Sequence, residues 1–265
     1  MTQSWSYGDF VQKLYLLTGL DLGSYKDRQM ERRIRQLMAR KDHNFASLYS
    51  ELTNNKTERE QFLNYVTINT SEFFRDKHVY DYLSGHVFPD LLSSYRNLNI
   101  WSAGCSTGEE PYTLSILAHE LKVGAQVKIL ASDIDQCALD KANLGRYHFR
   151  QLEKLPLYLK NKYFEHEHEY FYIRERYKQV VKFHRQNLLA SLDSTIPEMQ
   201  LILCRNVFIY FKIEIQERLI KQFSRQLTCG GYFVTGCVEM INNPLKFGLE
   251  RKIPAVYKKV STSAI

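Results

Sequence analysis

The 265-residue chain lacks a long apolar run: its longest, LILCRNVFIYF at 201–211, is interrupted by Arg205. No charged leader followed by an apolar stretch opens it either, so neither membrane insertion nor secretion is expected. Cysteine is sparse and unpatterned. Cys105, Cys137, Cys204, Cys229 and Cys237 are odd in number and form no C-x-x-C pair, which argues against a disulfide framework or a structural zinc site and for thiols in a reducing, cytoplasmic setting. There is no internal repeat and no low-complexity linker. Acidic residues fall short of basic ones, 29 against 36, and the net charge of +7 favours anionic partners without naming them.

What the sequence does have is two textures. Residues 1 to about 85 carry apolar residues at spacings of three and four and predict an all-helical N-terminal domain. In SYKDRQMERRIRQLMARK, Met30, Ile34, Leu37 and Met38 share one face, and Arg28, Arg32 and Arg35 form a cationic stripe on the opposite one. That stripe reads either as a solvated helix face or as a docking surface for an acidic protein. From 86 to 265 short apolar runs alternate with helical stretches, which predicts an α/β domain with a doubly wound, mostly parallel sheet. The aromatic-rich stretch from about 163 to 185 predicts a small antiparallel β-insertion. Within it, His166 and His168 of EHEHE alternate as strand residues on one face would, but a solvated hairpin explains them better than a metal site.

The chemistry concentrates at strand ends. WSAGCSTGEEPYT (101–113) reads as strand, glycine turn and helix, a place where backbone closely approaches a ligand. The Glu109–Glu110 pair at that helix start would repel a phosphate and attract a cation. S-adenosylmethionine, with its ammonium and sulfonium, suits glycines plus acid. The competing reading is a capping box, with Thr107 as N-cap and Glu110 at the third helical position. In ILASDIDQC, Asp133 ends a second strand about 25 residues further on, where a carboxylate takes ribose hydroxyls, and Asp135 reads as the cap of the next helix. Arg205 and Asn206 end another strand and point at the same crevice. A structural salt bridge is the alternative for the arginine, and a core aromatic the alternative for Tyr210.

The ordered motifs NTSEFFRD (69–76), WSAGCSTGEEPYT, ASDIDQCALDKA, NLL (187–189) and CRNVFIYF together closely resemble the CheR-type chemoreceptor glutamate methyltransferases, over nearly the whole chain. The resemblance implies a cytoplasmic S-adenosylmethionine-dependent enzyme with a helical N-terminal domain and a class I, Rossmann-like methyltransferase domain bearing a small β-subdomain. Its implied partner is the cytoplasmic domain of a chemoreceptor. It further implies that Asn69, Ser71 and Arg75 touch the cofactor from the N-terminal side, that Glu110 takes its amino-acid end and Asp133 its ribose, and that Asn187 and Leu188 line the adenine. Arg205 and Asn206 would sit near the methionine portion, with Arg75 and Tyr210 flanking the methyl donor. One departure is CVEM (237–240), where many members have an HSE-like run; Glu239 still fits. The insertion also looks short, so docking through Arg28, Arg32 and Arg35 is expected rather than tethering of a receptor peptide. Nucleic acid is not expected, because no Asn/Asp-Pro-Pro-aromatic motif is present. A non-catalytic cofactor-binding module would lack Arg75 or Tyr210, and both are here. With no exposed heptad or long apolar stripe, a monomer is expected.

Overall fold

The structure, a computed structural model, describes residues 5–67, 69–190 and 196–260. The chain divides into two compact units, Met1–Asn69 with Tyr210–Glu217, and Thr70–Ile209 with Arg218–Ile265.

In the first unit four helices, α1 (Tyr7–Thr18), α2 (Asp27–Lys41), α3 (Phe45–Asn54) and α4 (Lys56–Thr67), follow the 3.6-residue apolar period. Ser6 with Asp9 and Asn44 with Ser47 form capping boxes that satisfy the first free N–H groups of α1 and α3. Phe10 and Leu14, Met30, Ile34 and Met38, Leu48 and Leu52, and Phe62 and Val66 make the core, where the Phe10 ring lies 5.3 Å from that of Phe45. Leu37 is half-buried at the edge of the predicted apolar face. Arg33 donates from Nε and Nη2 to the Tyr65 carbonyl, tying α2 to α4. The segment from Tyr210 joins this unit through the Lys26 N–H, which donates to the Tyr210 carbonyl at 2.9 Å, and through the Tyr25–Phe211 bridge.

The second unit opens with α5 (Lys77–Tyr82) and α6 (Phe88–Ser94), joined by a π-turn at Leu83–Val87. There follow β1 (Leu98–Ala103), α7 (Glu109–Glu120), β2 (Val127–Asp133), α8 (Gln136–Leu144), β3 (Arg146–His148), α9 (Leu157–Tyr163), β4 (Phe164–Glu167), β5 (Tyr170–Ile173), α10 (Glu175–Lys178), β6 (Val181–Arg185) and β7 (Met199–Cys204). The last elements are α11 (Ile213–Gln226), which begins in the first unit's Tyr210–Glu217 segment, then β8 (Leu227–Thr235), β9 (Leu249–Ile253) and β10 (Val256–Lys259). The main sheet has the order β6-β2-β1-β7-β8-β10-β9, parallel from β6 to β8 and antiparallel at β10 and β9. Ile100 pairs with Ile129 on one side and Leu201 on the other, so the winding reverses at β1 and opens a crevice beyond the strand ends there. Every residue of β7 is buried, and each fully buried Leu or Ile there contributes about 1.5–3 kcal/mol of hydrophobic stabilisation. In β10, beside the edge strand β9, the buried Lys259 ammonium donates to the Ser224 carbonyl in the last turn of α11 and to the Leu227 carbonyl that opens β8.

Two boundaries differ from those expected. The first unit ends at Asn69 rather than near residue 85, because Val79, Tyr80, Leu83 and Val87 are buried in the same core as the sheet. The antiparallel insertion is a three-stranded sheet, β3-β5-β4, which begins at Arg146, while Val181–Arg185 pairs in parallel with β2 in the main sheet. Strands of two sheets abut across the single turn of α10, and their shared β-branched and aromatic composition hid the change of sheet.

Candidate active site

The crevice at the strand ends begins with Gly104, whose φ is +78° and whose missing Cβ would lie 2.6 Å from Val207 Cγ2. Nothing but glycine fits, because the Val207 side chain packs directly on the backbone there. Helix α7 starts at Glu109 behind Gly108, so Thr107 is not its side-chain cap; the Thr107 hydroxyl instead donates to Glu109 Oε2 at 2.7 Å. Glu110 turns back toward β1 and accepts from the Ser102 hydroxyl at 2.7 Å, while its second oxygen lies 3.6 Å from Arg205 Nη1. Burial pushes the Glu110 carboxyl above its usual range, with Arg205 and Ser102 opposing. Glu109, buried and raised for the same reason, is steadied by bonds from Thr107, Ser71 and Gln151.

Asp133 ends β2 and is almost fully buried. Its oxygens accept from the Ser106 N–H at 2.8 Å and the Asp135 N–H at 3.0 Å, and the Ile134 N–H adds a further backbone bond, which locks the carboxylate. Burial raises its pKa against those backbone bonds. Asp135 caps α8 by accepting from the Cys137 and Ala138 N–H groups. Beyond β6 the Asn187 side chain accepts from the Leu189 N–H, and Leu188 is buried. A glycine turn and two carboxylates suit a ligand with a diol and a cationic end and repel a phosphate, so the donor set fits S-adenosylmethionine.

Arg205 is the centre of a third cluster. Its side chain is 2% exposed and donates to Asp76 Oδ2 at 2.6 Å, the Arg75 carbonyl at 2.8 Å and the Tyr80 hydroxyl at 3.1 Å. Burial works against its charge, but Tyr80, Glu110 and Asp76 more than offset that, and its pKa lies above the ordinary value. Both terminal nitrogens of the guanidinium are therefore engaged by protein groups, while its buried Nε has no hydrogen-bond partner. Asn206, at φ +60°, gives its N–H to Glu239 Oε2, and the Glu239 carboxylate also accepts from the Gly236 and Ile209 N–H groups. Glu239 thus knots the turn after β7.

Arg75 follows Phe73, which stacks edge-on against Tyr147 and Phe164, and Phe74, which packs on Tyr80. Its guanidinium has one long hydrogen bond, 3.4 Å to the Thr70 carbonyl, and no carboxylate partner among the described residues. It lines a cavity of about 770 Å³ walled by Phe73, Phe74, Tyr80, Leu155 and Leu159. Asn69, which donates to Asn64 Oδ1, and the half-buried Tyr210 belong to the helical unit. On α2, Arg28 and Arg32 are exposed, and Arg35 donates from Nε and Nη2 to Glu31 Oε1 and lies over the Phe45 ring. His166 lies in β4 and stacks on Phe171, whereas His168 is in the turn at φ +53°, so the two do not share a strand face. Sequence reasoning missed the roles of Asp76, Tyr80 and Thr113; Asp76 stood in a recognised motif, but its partner is 129 residues away.

The sheet order and the carboxylate-lined crevice define an S-adenosylmethionine-dependent methyltransferase. Residues 69–253 match the CheR methyltransferase SAM-binding domain and residues 6–67 the CheR methyltransferase all-alpha domain. The chain is 36% identical over 234 residues to the chemotaxis protein methyltransferase of Listeria monocytogenes, covering 87% of this chain and 88% of that protein. It is 32% identical over 262 residues to the corresponding protein of Borreliella burgdorferi (94% and 92% covered) and 36% identical over 238 residues to chemotaxis protein methyltransferase 2 of Pseudomonas aeruginosa (86% and 85%). The chain belongs to the CheR methyltransferase family. Among the described residues no helix is long and apolar enough to cross a membrane.

Proposed function

We propose that the protein methylates glutamate side chains on the cytoplasmic helices of chemoreceptors, giving methyl esters, and that it does so in the cytoplasm as a monomer. The observation that carries this reading is Arg75, a cation with no carboxylate partner among the described residues, beside a cavity, in a family of chemotaxis methyltransferases. Bound S-adenosylmethionine supplies a methyl group on a sulfonium, which passes to a carboxylate oxygen as the carbon–sulfur bond electrons leave to sulfur. A glutamate with an ordinary pKa of about 4.3 is already ionised at neutral pH, so no residue of the chain acts as general base. The protein's task is placement within about 3–3.5 Å and in line. Arg75 offers a planar, permanently charged fork to the substrate carboxylate, and Tyr210 gives a second hydrogen bond. A very strong pair would favour the ground-state anion over a transition state whose charge is falling, so Arg75 orients more than it accelerates electrostatically.

Glu110 takes the cofactor's ammonium and Asp133 its ribose hydroxyls. Asn187 and Leu188 line the adenine, Asn69 and Ser71 close the site from the N-terminal side, and Asn206 borders the methionine portion. Arg28, Arg32 and Arg35 dock the acidic receptor helix. Each ester deletes one negative charge from packed receptor helices, weakening their screened repulsion and shifting the receptor's signalling balance. The test is transfer of labelled methyl from S-adenosylmethionine to a purified chemoreceptor cytoplasmic fragment. Base-labile label on glutamates supports the reading, and label stable to mild alkali, or absent despite cofactor binding, overturns it.

A further inference from the structure

The turn that carries Arg75 has left-handed backbone on both sides. Phe74 has φ +52° and Asp76 φ +60°, left-handed values that cost a bulky side chain most, and neither residue is glycine. Such a turn persists only where its surroundings hold it, and the holds are visible. The Phe74 N–H donates to the Thr113 hydroxyl at 3.1 Å, and that hydroxyl is fixed by donating to the Glu109 carbonyl at 2.7 Å inside α7. On the other side Arg205 Nη2 grips both the Arg75 carbonyl and Asp76 Oδ2. The Asp76 carbonyl also accepts from the Val79 N–H at 2.8 Å, so the turn runs directly into α5. Every one of these bonds acts on the backbone or on the neighbours of Arg75, and its guanidinium, with only the long bond to the Thr70 carbonyl, has no carboxylate partner among the described residues.

We propose that Asp76, gripped by Arg205 and opposed by Thr113, is the positioning residue that holds the 74–76 turn so that Arg75 projects toward the substrate carboxylate. The inference rests on the role given to Arg75 above. Asp76 acts on Arg75 through the backbone, and its carboxylate, one-third exposed, also lines the cavity beside Arg75. Without its carboxylate the turn relaxes toward right-handed backbone, and the Arg75 guanidinium moves from its place; a shift of about 1 Å is enough to lower a placement-dependent rate on the order of 100-fold.

A double-mutant cycle on the full chain tests this, with labelled methyl transfer to a chemoreceptor cytoplasmic fragment, calorimetric S-adenosylhomocysteine binding, and amide exchange across residues 73–79. Asp76→Ala is expected to lower kcat about 10- to 100-fold, leave S-adenosylhomocysteine affinity within about threefold, and speed exchange at Phe74 and Val79 but not in β1 or β7. Asp76→Asn, which still accepts from Arg205 and tolerates left-handed backbone, is expected to recover to within about threefold of the unmodified enzyme. In an Arg75→Ala background Asp76→Ala should lower the rate less than about twofold further, because it acts through the missing side chain. Thr113→Val, nearly equal in volume, should show the same dependence on Arg75 and serves where Asp76→Ala does not fold. Full additivity of the two losses, or cofactor affinity falling in parallel with kcat, overturns the proposal while leaving Arg75 its role. An Arg75→Ala enzyme as fast as the unmodified one overturns that role itself.

Discussion

On α2, Arg28 and Arg32 stand in solvent, where a cation costs almost nothing to keep and is free to meet a partner, whereas Arg205 is sealed in the second unit among Asp76, Tyr80 and Glu110. The two regions use the same side chain for opposite ends. An exposed pair contributes about 0–1 kcal/mol, so the α2 stripe does little for the fold and remains available for recognition. A buried guanidinium whose partners are removed, or which is itself removed, leaves uncompensated charge behind, so Arg205 serves geometry first. Arg75 falls between them: half-buried, with its backbone gripped and no carboxylate beside its charge among the described residues.

The sharpest way to break the contrast is Arg205→Ala. It is expected to cost about 3 kcal/mol in chemical denaturation, toward the lower end for a buried pair because Asp76 is one-third exposed. A loss below about 0.5 kcal/mol would show that the cluster is no clamp. Next comes Arg75→Ala, expected to lower kcat about 100-fold while leaving the melting temperature within a degree or two; a matching fall in stability would make it structural. Acidification should weaken cofactor binding. Glu110 and Asp133 both have raised pKa values through burial, and cofactor binding needs them ionised, so affinity should begin to fall at a higher pH than an ordinary carboxyl near 4 would dictate. Stability runs the other way for these two groups: the folded state holds their protons more tightly than the unfolded chain, so their contribution declines as pH rises through the folded pKa. Calorimetric titration of S-adenosylhomocysteine across pH checks the first, and Glu110→Gln should flatten it. The smallest effect on the fold is expected from Arg28→Glu with Arg32→Glu. Stability should stay within about 0.5 kcal/mol, while KM for the receptor fragment rises about fivefold, equivalent to about 1 kcal/mol, and loses much of its salt dependence.

Much of this was legible before any coordinates. The helical period of 1–67, the α/β alternation and the acids at the ends of β1 and β2 are local signals, since each depends on residues a few positions apart. The Arg205 cluster was not legible in the same way. Asp76 and Tyr80 lie about 130 positions from Arg205, and only the sheet order brings them together. Thr113 was hidden for another reason: it reads as a routine helix residue, and the left-handed backbone that it satisfies at Phe74 has no composition signature. The β-insertion was mis-bounded because a strand's residues do not say which sheet they join.

Lys259 carries a consequence for how the chain is made. Its ammonium closes a last-turn carbonyl of α11 and the carbonyl that opens β8 from 35 and 32 residues downstream, in the last strand of the sheet. Until β10 has been synthesised and has paired with β8, those carbonyls lack this partner. Docking of the sheet's final hairpin is therefore also the event that seals a helix completed more than thirty residues earlier.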